Sequence, residues 1–321
     1  MHVCNSLELL IKATQNRPIR IALGNFDGLH VGHRKLISGL VEEARAMGHD
    51  SVVVSFNPHP AQFFGKNGDF KKIDAPSLRR RFLAELGVSA ILELPFTESL
   101  AQMTGPEFLE KIIGGLPIRE VRVGVDFRFG RDRSGDVGLL ETYCKAREVS
   151  VQLIDPVHVD GQLASSSMVR SILVQEGDVA RAAKILCRSF CLVGTVVRGD
   201  QIGRSIGFPT ANIEVTDQVI PKVGVYAGAL RVQSEISPQV RQNDFLPCVI
   251  NIGFRPTVDR SPAGLRVEAH VYDSWDLALY SESVELQFWS RLRDERQFSS
   301  LEELKLQIAK DIMHAKGHAS V

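Results

Sequence analysis

The sequence predicts an α/β domain on a parallel sheet, followed by a small antiparallel β-barrel and a C-terminal helix. Three observations carry this reading. Up to about residue 186, short apolar, β-branched runs alternate with stretches of helical periodicity, the pattern of a buried parallel sheet with crossover helices. From Cys187 onward the strand-like runs come at close spacing without helices between them, which suits a closed barrel. The chain then ends in one helical stretch, Leu301 to Met313, introduced by the capping-box pattern Ser300-Leu-Glu-Glu303. A length of 321 residues suits two domains, placed at 1–186 and 187–321.

Composition narrows the function. Apolar residues make up 44% of the chain and charged residues 24%, enough for real cores. Lysine plus arginine equals aspartate plus glutamate at 38 each, a balance that argues against a nucleic-acid binder or a protein held on anionic membranes. The five cysteines include no Cys-x-x-Cys pair, so neither a disulfide framework nor a zinc site is expected, and a reducing cytoplasm fits. No basic-then-apolar leader opens the sequence, and no apolar run approaches the ~18 residues of a membrane span. Arg79-Arg80-Arg81 is expected to be a solvated helix face.

The first half turns on Ile21-Ala-Leu-Gly24-Asn25-Phe26-Asp27-Gly28-Leu-His30-Val-Gly-His33. Ile19 to Leu23 reads as a buried strand that Gly24 ends. Gly24, Asn25, Asp27 and Gly28 supply the small and positive-φ residues of a tight turn, and helical periodicity begins near Val31. His30 and His33 therefore share a face at a helix start, beside free backbone N–H groups and the positive end of the helix dipole, where phosphate binds. Taken alone, such a pair could equally cap the helix or pack.

Ser51 to Phe56 is a second strand, stopped by Asn57-Pro58-His59-Pro60, which puts a rigid loop at the sheet edge where ligands bind in parallel folds. A helix over Pro76 to Leu86, a strand over Ala90 to Leu94, a helix over Pro106 to Ile113 and a strand over Val121 to Val125 continue the alternation. The last runs into Gly124-Val-Asp126-Phe127-Arg-Phe129-Gly130 and the polar Arg131 to Asp136, either a solvated connection or a binding loop. Beyond a helix through Leu139 to Arg147 and a strand at Val151 to Ile154, Ser165-Ser166-Ser167-Met-Val-Arg170 opens another helix. Its serines are N-caps, or hydroxyls of a second phosphate cradle with Arg170 one turn in.

In the second half, after a short helix that Asp178 caps, strands are expected over Phe190 to Val197, Gly224 to Val232, Pro247 to Ile252, Leu265 to Tyr272 and Val284 to Phe288. Between the first two lies Gly199-Asp-Gln-Ile-Gly203-Arg204-Ser-Ile-Gly207-Phe-Pro-Thr210-Ala-Asn212, a glycine-spaced loop that can approach phosphates or a long hairpin turn. On the strand from Leu265, Arg266, Glu268 and His270 point to one face and Val267 and Ala269 to the other; that polar stripe is a solvent side or a site.

Gly-Asn-Phe-Asp-Gly-Leu-His-Val-Gly-His resembles the nucleotide-binding signature of the nucleotidyltransferase superfamily. With Phe-Asn-Pro-His-Pro, Gly-Val-Asp-Phe-Arg-Phe-Gly and Ser-Ser-Ser-Met-Val-Arg, it is similar to the adenylyltransferase half of the prokaryotic bifunctional riboflavin kinases/FMN adenylyltransferases. Gly-Phe-Pro-Thr-Ala-Asn, Asn251-Ile-Gly-Phe-Arg-Pro-Thr257, Val267-Glu-Ala-His270 and Arg293-Asp-Glu-Arg-Gln-Phe298 resemble the kinase half. The resemblance implies a Rossmann-like nucleotidyltransferase domain that adenylylates FMN to FAD, and a barrel that phosphorylates riboflavin to FMN. Each would use ATP and Mg²⁺, with riboflavin, FMN and ATP as small-molecule substrates and neither nucleic acid nor membrane as a partner; the oligomeric state stays open.

Carried over by resemblance, His30, His33 and Arg170 stabilise the transferring phosphate. Gly24, Asn25, Phe26, Asp27, Gly28, Ser166 and Ser167 cradle ATP. Asn57, Pro58, His59 and Pro60 border the flavin, as do Phe127 or Phe129, with Asp126 toward the adenosine side. In the barrel Glu268 is the general base, Gly199, Gly203, Arg204 and Gly207 line the ATP loop, Thr210 and Asn212 hold the metal, and Arg293 is a partner for the product phosphate on the flavin side. Three departures stand out: Ser167 replaces a Thr, Val258 replaces a Phe, and Ser274 or Trp275 takes a Phe place after His270.

Overall fold

A computed structural model describes residues 1–65, 70–199, 203, 206–233, 245–254, 264–272 and 279–317. The chain divides into two compact units, Met1–Lys71 with Pro76–Ser165, and Lys72–Ala75 with Ser166–Val321.

The first unit is built on six strands, β1 (His2–Cys4), β2 (Ile19–Leu23), β3 (Asp50–Asn57), β4 (Ala90–Pro95), β5 (Ile118–Gly124) and β6 (Ser150–Ile154). All neighbours are parallel and the order is β1-β4-β3-β2-β5-β6. The order reverses between β2 and β5, so the crevice beyond their C-terminal ends is the topological switch point of the sheet. Helices α1 (Leu7–Thr14), α2 (Val31–Ala46), α3 (Pro60–Phe64), α4 (Pro76–Glu85), α5 (Glu98–Ala101), α6 (Gly105–Ile113) and α7 (Val137–Lys145) connect the strands. A two-residue hairpin, β7 (His158–Val159) and β8 (Gln162–Leu163), follows β6. The β1 strand and α1 are not expected from the sequence, because three and eight residues give too short a periodic signal.

The strands are buried because their residues are apolar on both faces: Ile19, Ile21, Val52, Val54, Leu92, Val121 and Val123 are all within 4% of full burial. The exceptions are charged pairs. Arg122 reaches Glu43 of α2 at 2.8 Å and Glu120 at 2.9 Å, and Arg20 pairs with both acids. Gly39 of α2 leaves room for this layer, since a Cβ there would lie 2.3 Å from Arg122 Nη1.

In the second unit α8 (Ser166–Ser171) runs into a π-helical turn over Ile172–Glu176, and α9 (Val179–Leu186) begins at Asp178, whose carboxylate accepts the Arg181 amide at 2.9 Å. Six antiparallel strands follow: β9 (Phe190–Val197), β10 (Ala211–Glu214), β11 (Gly224–Val232), β12 (Leu246–Phe254), β13 (Leu265–Val271) and β14 (Ser283–Arg293). They close in the order β10-β13-β12-β11-β14-β9. The barrel is the expected one with an additional strand: β10 lies in the stretch read as loop, too short and too polar to announce itself. Tyr226, Ile250, Ala269 and Ile213 fill the interior. The outward Val225, Ala227 and Val249 are covered by Ile312 and Ala315 of α10 (Leu301–Lys316).

Lys72–Ala75 adds a strap to this unit. The Lys72 amide donates to the Asp217 carbonyl (2.9 Å) and the Val219 amide to the Lys72 carbonyl (2.8 Å). Arg188 Nη2 grips both carboxylate oxygens of buried Asp74, at 2.6 and 2.7 Å. The Gln218 side-chain amide donates to the Ile73 and Cys191 carbonyls, both at 3.3 Å.

Candidate functional site

In the first unit the turn from β2 to α2 holds the histidines at the switch point. His30 occupies the N-cap position of α2 and its own side chain makes no cap hydrogen bond, and a helix start of this kind suits an anionic ligand. The rings of His30 and His33 stack with centroids 3.7 Å apart. Gly32 makes this possible: a Cβ there would press on the His30 ring at 3.2 Å. Positive φ falls at Phe26 (50°), Gly28 (82°) and Leu29 (42°), rather than at Asn25 or Asp27 as the sequence suggested. An aromatic residue accepts such a backbone only when its side chain is secured. Phe26 is 2% exposed, and its ring lies where a Gly24 side chain would be and meets the His33 ring edge-on at 5.2 Å.

Burial also fixes the protonation state. Desolvation lowers the His30 pKa to about 4, and burial plus the neighbouring His30 push His33 well down, so both imidazoles are neutral near pH 7. Neither Nδ1 has a hydrogen-bond partner among the described residues. Each ring thus keeps a buried Nδ1 without such a partner at the helix start.

The Arg79-Arg80-Arg81 stretch is not the solvated face expected of it. Glu93, buried in the centre of β4, draws Arg79 Nη2 to 2.7 Å and Arg80 Nε to 3.1 Å, and Arg79 is 7% exposed. Burial raises the Glu93 pKa, and the two arginines lower it by more, leaving a net depression. Arg79 Nη1 also donates to the Asn25 carbonyl at 3.2 Å, which accepts from Ser55 Oγ at 3.2 Å as well. Helical periodicity carried no sign of this, because the compensating carboxylate lies on another element.

At the end of β3, His59 caps α3 by accepting the Ala61 amide at 3.0 Å, and its ring stacks on Phe70 at 4.3 Å. Asn57 ends β3, Pro58 precedes His59, and Pro60 opens α3. Beyond β5, Asp126 is exposed and Phe127 half-buried. Phe129 is 5% exposed and belongs to the core: Gly135 lies so close that a Cβ there would be 2.5 Å from its ring. Of the two phenylalanines, Phe127 is the one with open surface. Ser166, Ser167 and Arg170 lie on α8, in the second unit.

The second unit contains a cavity of about 400 Å³ on the outward face of the barrel, between β10, β12, β13 and α10. It gathers Gly203, Thr210, Asn212, Glu268 and Arg293, five of the residues singled out in the sequence. Glu268 of β13 pairs in register with Asn212 on one side and Asn251 on the other, forming a three-residue polar row. The stripe Arg266, Glu268, His270 is therefore a cavity wall and not a solvent face. His270 is 4% exposed and its Nδ1–H donates to the Pro209 carbonyl at 2.7 Å, holding the chain just before Thr210. Burial lowers the His270 pKa more than this bond raises it, keeping the ring neutral. Gly199 lies directly against the Asn212 side chain, and Gly203 against the Phe208 carbonyl; side chains would collide at 2.2 and 2.3 Å. Gly207 has φ 90°. Arg204 and the Ser274-Trp275 segment lie outside the described residues.

Arg293 lines the cavity with its guanidinium on Asp311 of α10, Nε at 3.0 Å from both oxygens and Nη2 at 2.7 Å from one. Glu295, missed by the sequence reading, rests its carboxylate over Gly253, and burial raises its pKa against the lowering from the Phe254 amide.

Comparison with known proteins places both halves. Residues 12–168 match the FAD synthetase family and residues 186–319 the riboflavin kinase family. The bifunctional riboflavin kinase/FMN adenylyltransferase of Escherichia coli strain K12 is 36% identical over 299 residues, covering 92% of this chain and 91% of that one. Those of Bacillus subtilis strain 168 and Pseudomonas fluorescens are 30% and 32% identical, each covering 95% of this chain and 94% of theirs. A Streptococcus pneumoniae crystal structure described as a macrolide-efflux protein superposes with TM-score 0.80 at 26% identity, over 93% of this chain and 94% of that one. No helix among the described residues of this chain is long and apolar enough to cross a membrane. Two family matches in order and relatives similar across more than nine-tenths of the chain establish that it belongs to the bifunctional riboflavin kinase/FMN adenylyltransferase family, with the FAD synthetase part first and the riboflavin kinase part second.

Proposed function

We propose that riboflavin is phosphorylated in the barrel cavity with Glu268 as general base, and that FMN is adenylylated at the His30–His33 turn. The observation that carries the first half is the row Asn212, Glu268, Asn251 in a 400 Å³ cavity. An alcohol must lose its proton as it attacks the γ-phosphate of ATP, and Glu268, central in that row, can accept it. Asn212 and Thr210 present oxygens on the same wall. Oxygen donors in small number suit Mg²⁺, which binds with few protein ligands and keeps much of its water. When bound there it would offset phosphate charge. The residues themselves orient the chain of phosphates against the glycine-bordered loop at Gly199, Gly203 and Gly207.

At the turn the chemistry differs. An FMN phosphate oxygen is already a nucleophile, so the site needs positioning and charge stabilisation and no base. Neutral His30 and His33 do this as hydrogen-bond donors alongside the amides of α2, with Gly24 to Gly28 closing over the nucleotide. Asn57 to Pro60, Asp126 and Phe127 border the flavin in this reading. The resemblance supports phosphate roles for Ser166, Ser167 and Arg170, and the matches at 12–168 and 186–319 support a functional border near Cys187. Five unpaired cysteines suit a cytoplasmic location.

The test is a chromatographic time course with riboflavin, ATP and Mg²⁺, repeated for Glu268→Ala. The variant is expected to make nothing from riboflavin yet convert supplied FMN to FAD. Phosphorylation of riboflavin at the wild-type rate by the variant would remove Glu268 from the mechanism.

A further inference from the structure

We infer that Arg79 is a positioning residue for FMN adenylylation, holding the histidine turn in its strained form from behind. The inference rests on the assignment of that turn to the adenylyl transfer. It starts from a backbone that does not stand unaided. Phe26 has φ 50° and Leu29 φ 42°, values that L side chains with bulky groups rarely adopt. The peptide linking Asn25 to Phe26 must be fixed for this conformation to persist. Its carbonyl receives two donors, Arg79 Nη1 and Ser55 Oγ, each at 3.2 Å.

From that peptide the contacts run outward. The buried Phe26 ring packs on Gly24 and meets His33 at 5.2 Å, and His33 stacks on His30 at 3.7 Å. Within the proposed ATP cradle Arg79 bonds the Asn25 carbonyl, and it acts on the histidines through that peptide. It sets the plane from which Phe26 carries the two imidazoles. The guanidinium is held in turn by Glu93 at 2.7 Å, a carboxylate 5% exposed, while Arg80 occupies the other Glu93 oxygen. Arg79 is the buried member of the pair of arginines on this carboxylate; Arg80 is partly exposed.

A purely structural role would be the neutralisation of Glu93. The two roles separate in a double variant, because removing both members of a buried pair restores stability where removing one does not. The measurement is steady-state kinetics of FMN adenylylation and of riboflavin phosphorylation, with thermal melts, on the full chain carrying Arg79→Met, Arg79→Lys and Arg79→Met/Glu93→Gln. Riboflavin phosphorylation reports that the barrel of each variant is folded, and the melt, followed by circular dichroism, reports the first unit. We expect Arg79→Met to lower kcat for adenylylation about 10- to 100-fold, the cost of a slightly misplaced site, with little change in KM for FMN. Arg79→Lys should recover part of the rate. The double variant should regain its melting temperature without regaining kcat. Wild-type kcat in the double variant, or in Arg79→Met itself, would overturn the inference. His30→Ala serves as the reference: full adenylylation by that variant would instead remove the turn from the reaction.

Discussion

Acid should unfold the first unit through His30, by an amount the structure sets. The group has a pKa of about 4 in the folded chain, where burial disfavours its cation, against an ordinary 6.5 once exposed. Between these values the unfolded chain binds the proton and the folded chain does not, so stability is fully present above about pH 6.5 and falls as pH drops toward 4. A gap of about 2.5 pH units corresponds to roughly 3 kcal/mol, of which about 2 kcal/mol is lost by pH 5. His33 adds loss in the same direction, since its pKa is lowered too. The assay is urea unfolding followed by circular dichroism at several pH values, for wild type and His30→Gln. Glutamine does not titrate, so the variant should lose about 2 kcal/mol less than wild type between pH 7.5 and 5, while carboxylates elsewhere cancel in the comparison. Equal pH slopes for the two proteins would show that His30 is not held neutral, and the electrostatic description of the turn would fail with it.

Other consequences are equally direct. Glu268→Gln should slow riboflavin phosphorylation about 100- to 10,000-fold while FMN adenylylation continues, measured by separate initial rates on the two flavins. Gly135→Ala places a Cβ 2.5 Å from the Phe129 ring and should cost about 1–3 kcal/mol of stability by overpacking, seen as a lower melting temperature with the barrel's activity retained at 25 °C. Asp311→Ala takes the carboxylate from Arg293 and should cost about 1–3 kcal/mol. It should also raise KM for riboflavin, because α10 forms one side of the cavity, without altering KM for FMN in adenylylation.

Much of this architecture was readable before any coordinates. The β2 strand, its turn and α2 were visible because an apolar run, a glycine and a helical period follow one another within a dozen residues, and the period-two pattern on β13 put Arg266, Glu268 and His270 on one face, which lines a cavity. What stayed hidden depended on partners distant in the chain. Arg79 looks like one of three surface arginines until Glu93 is placed behind it. Phe127 and Phe129 read alike, and only the glycine at 135 shows which of them is core. Arg293 lines the cavity as a candidate phosphate partner, and its pairing with Asp311, 18 residues later, had no local signal. Positive φ at Phe26 had no local signal, since the residue type argues against it and the support comes from α4 and β3.

The strap at Lys72–Ala75 bears on how the chain can be taken apart. Borders drawn by family likeness fall at 168 and 186 and suggest two pieces in series, yet the second unit is assembled from two separate stretches of chain. No single cut releases it whole. A fragment begun at Ser166 would keep every barrel strand but lose the carboxylate that Arg188 grips twice and the Ile73 carbonyl that Gln218 reaches. Such a fragment leaves Arg188 without its Asp74 counterion and Gln218 without one acceptor, and should be less stable than the barrel with the strap in place. Heredity and folding thus divide this chain at different places, and a kinase half engineered to stand alone would have to replace those four residues.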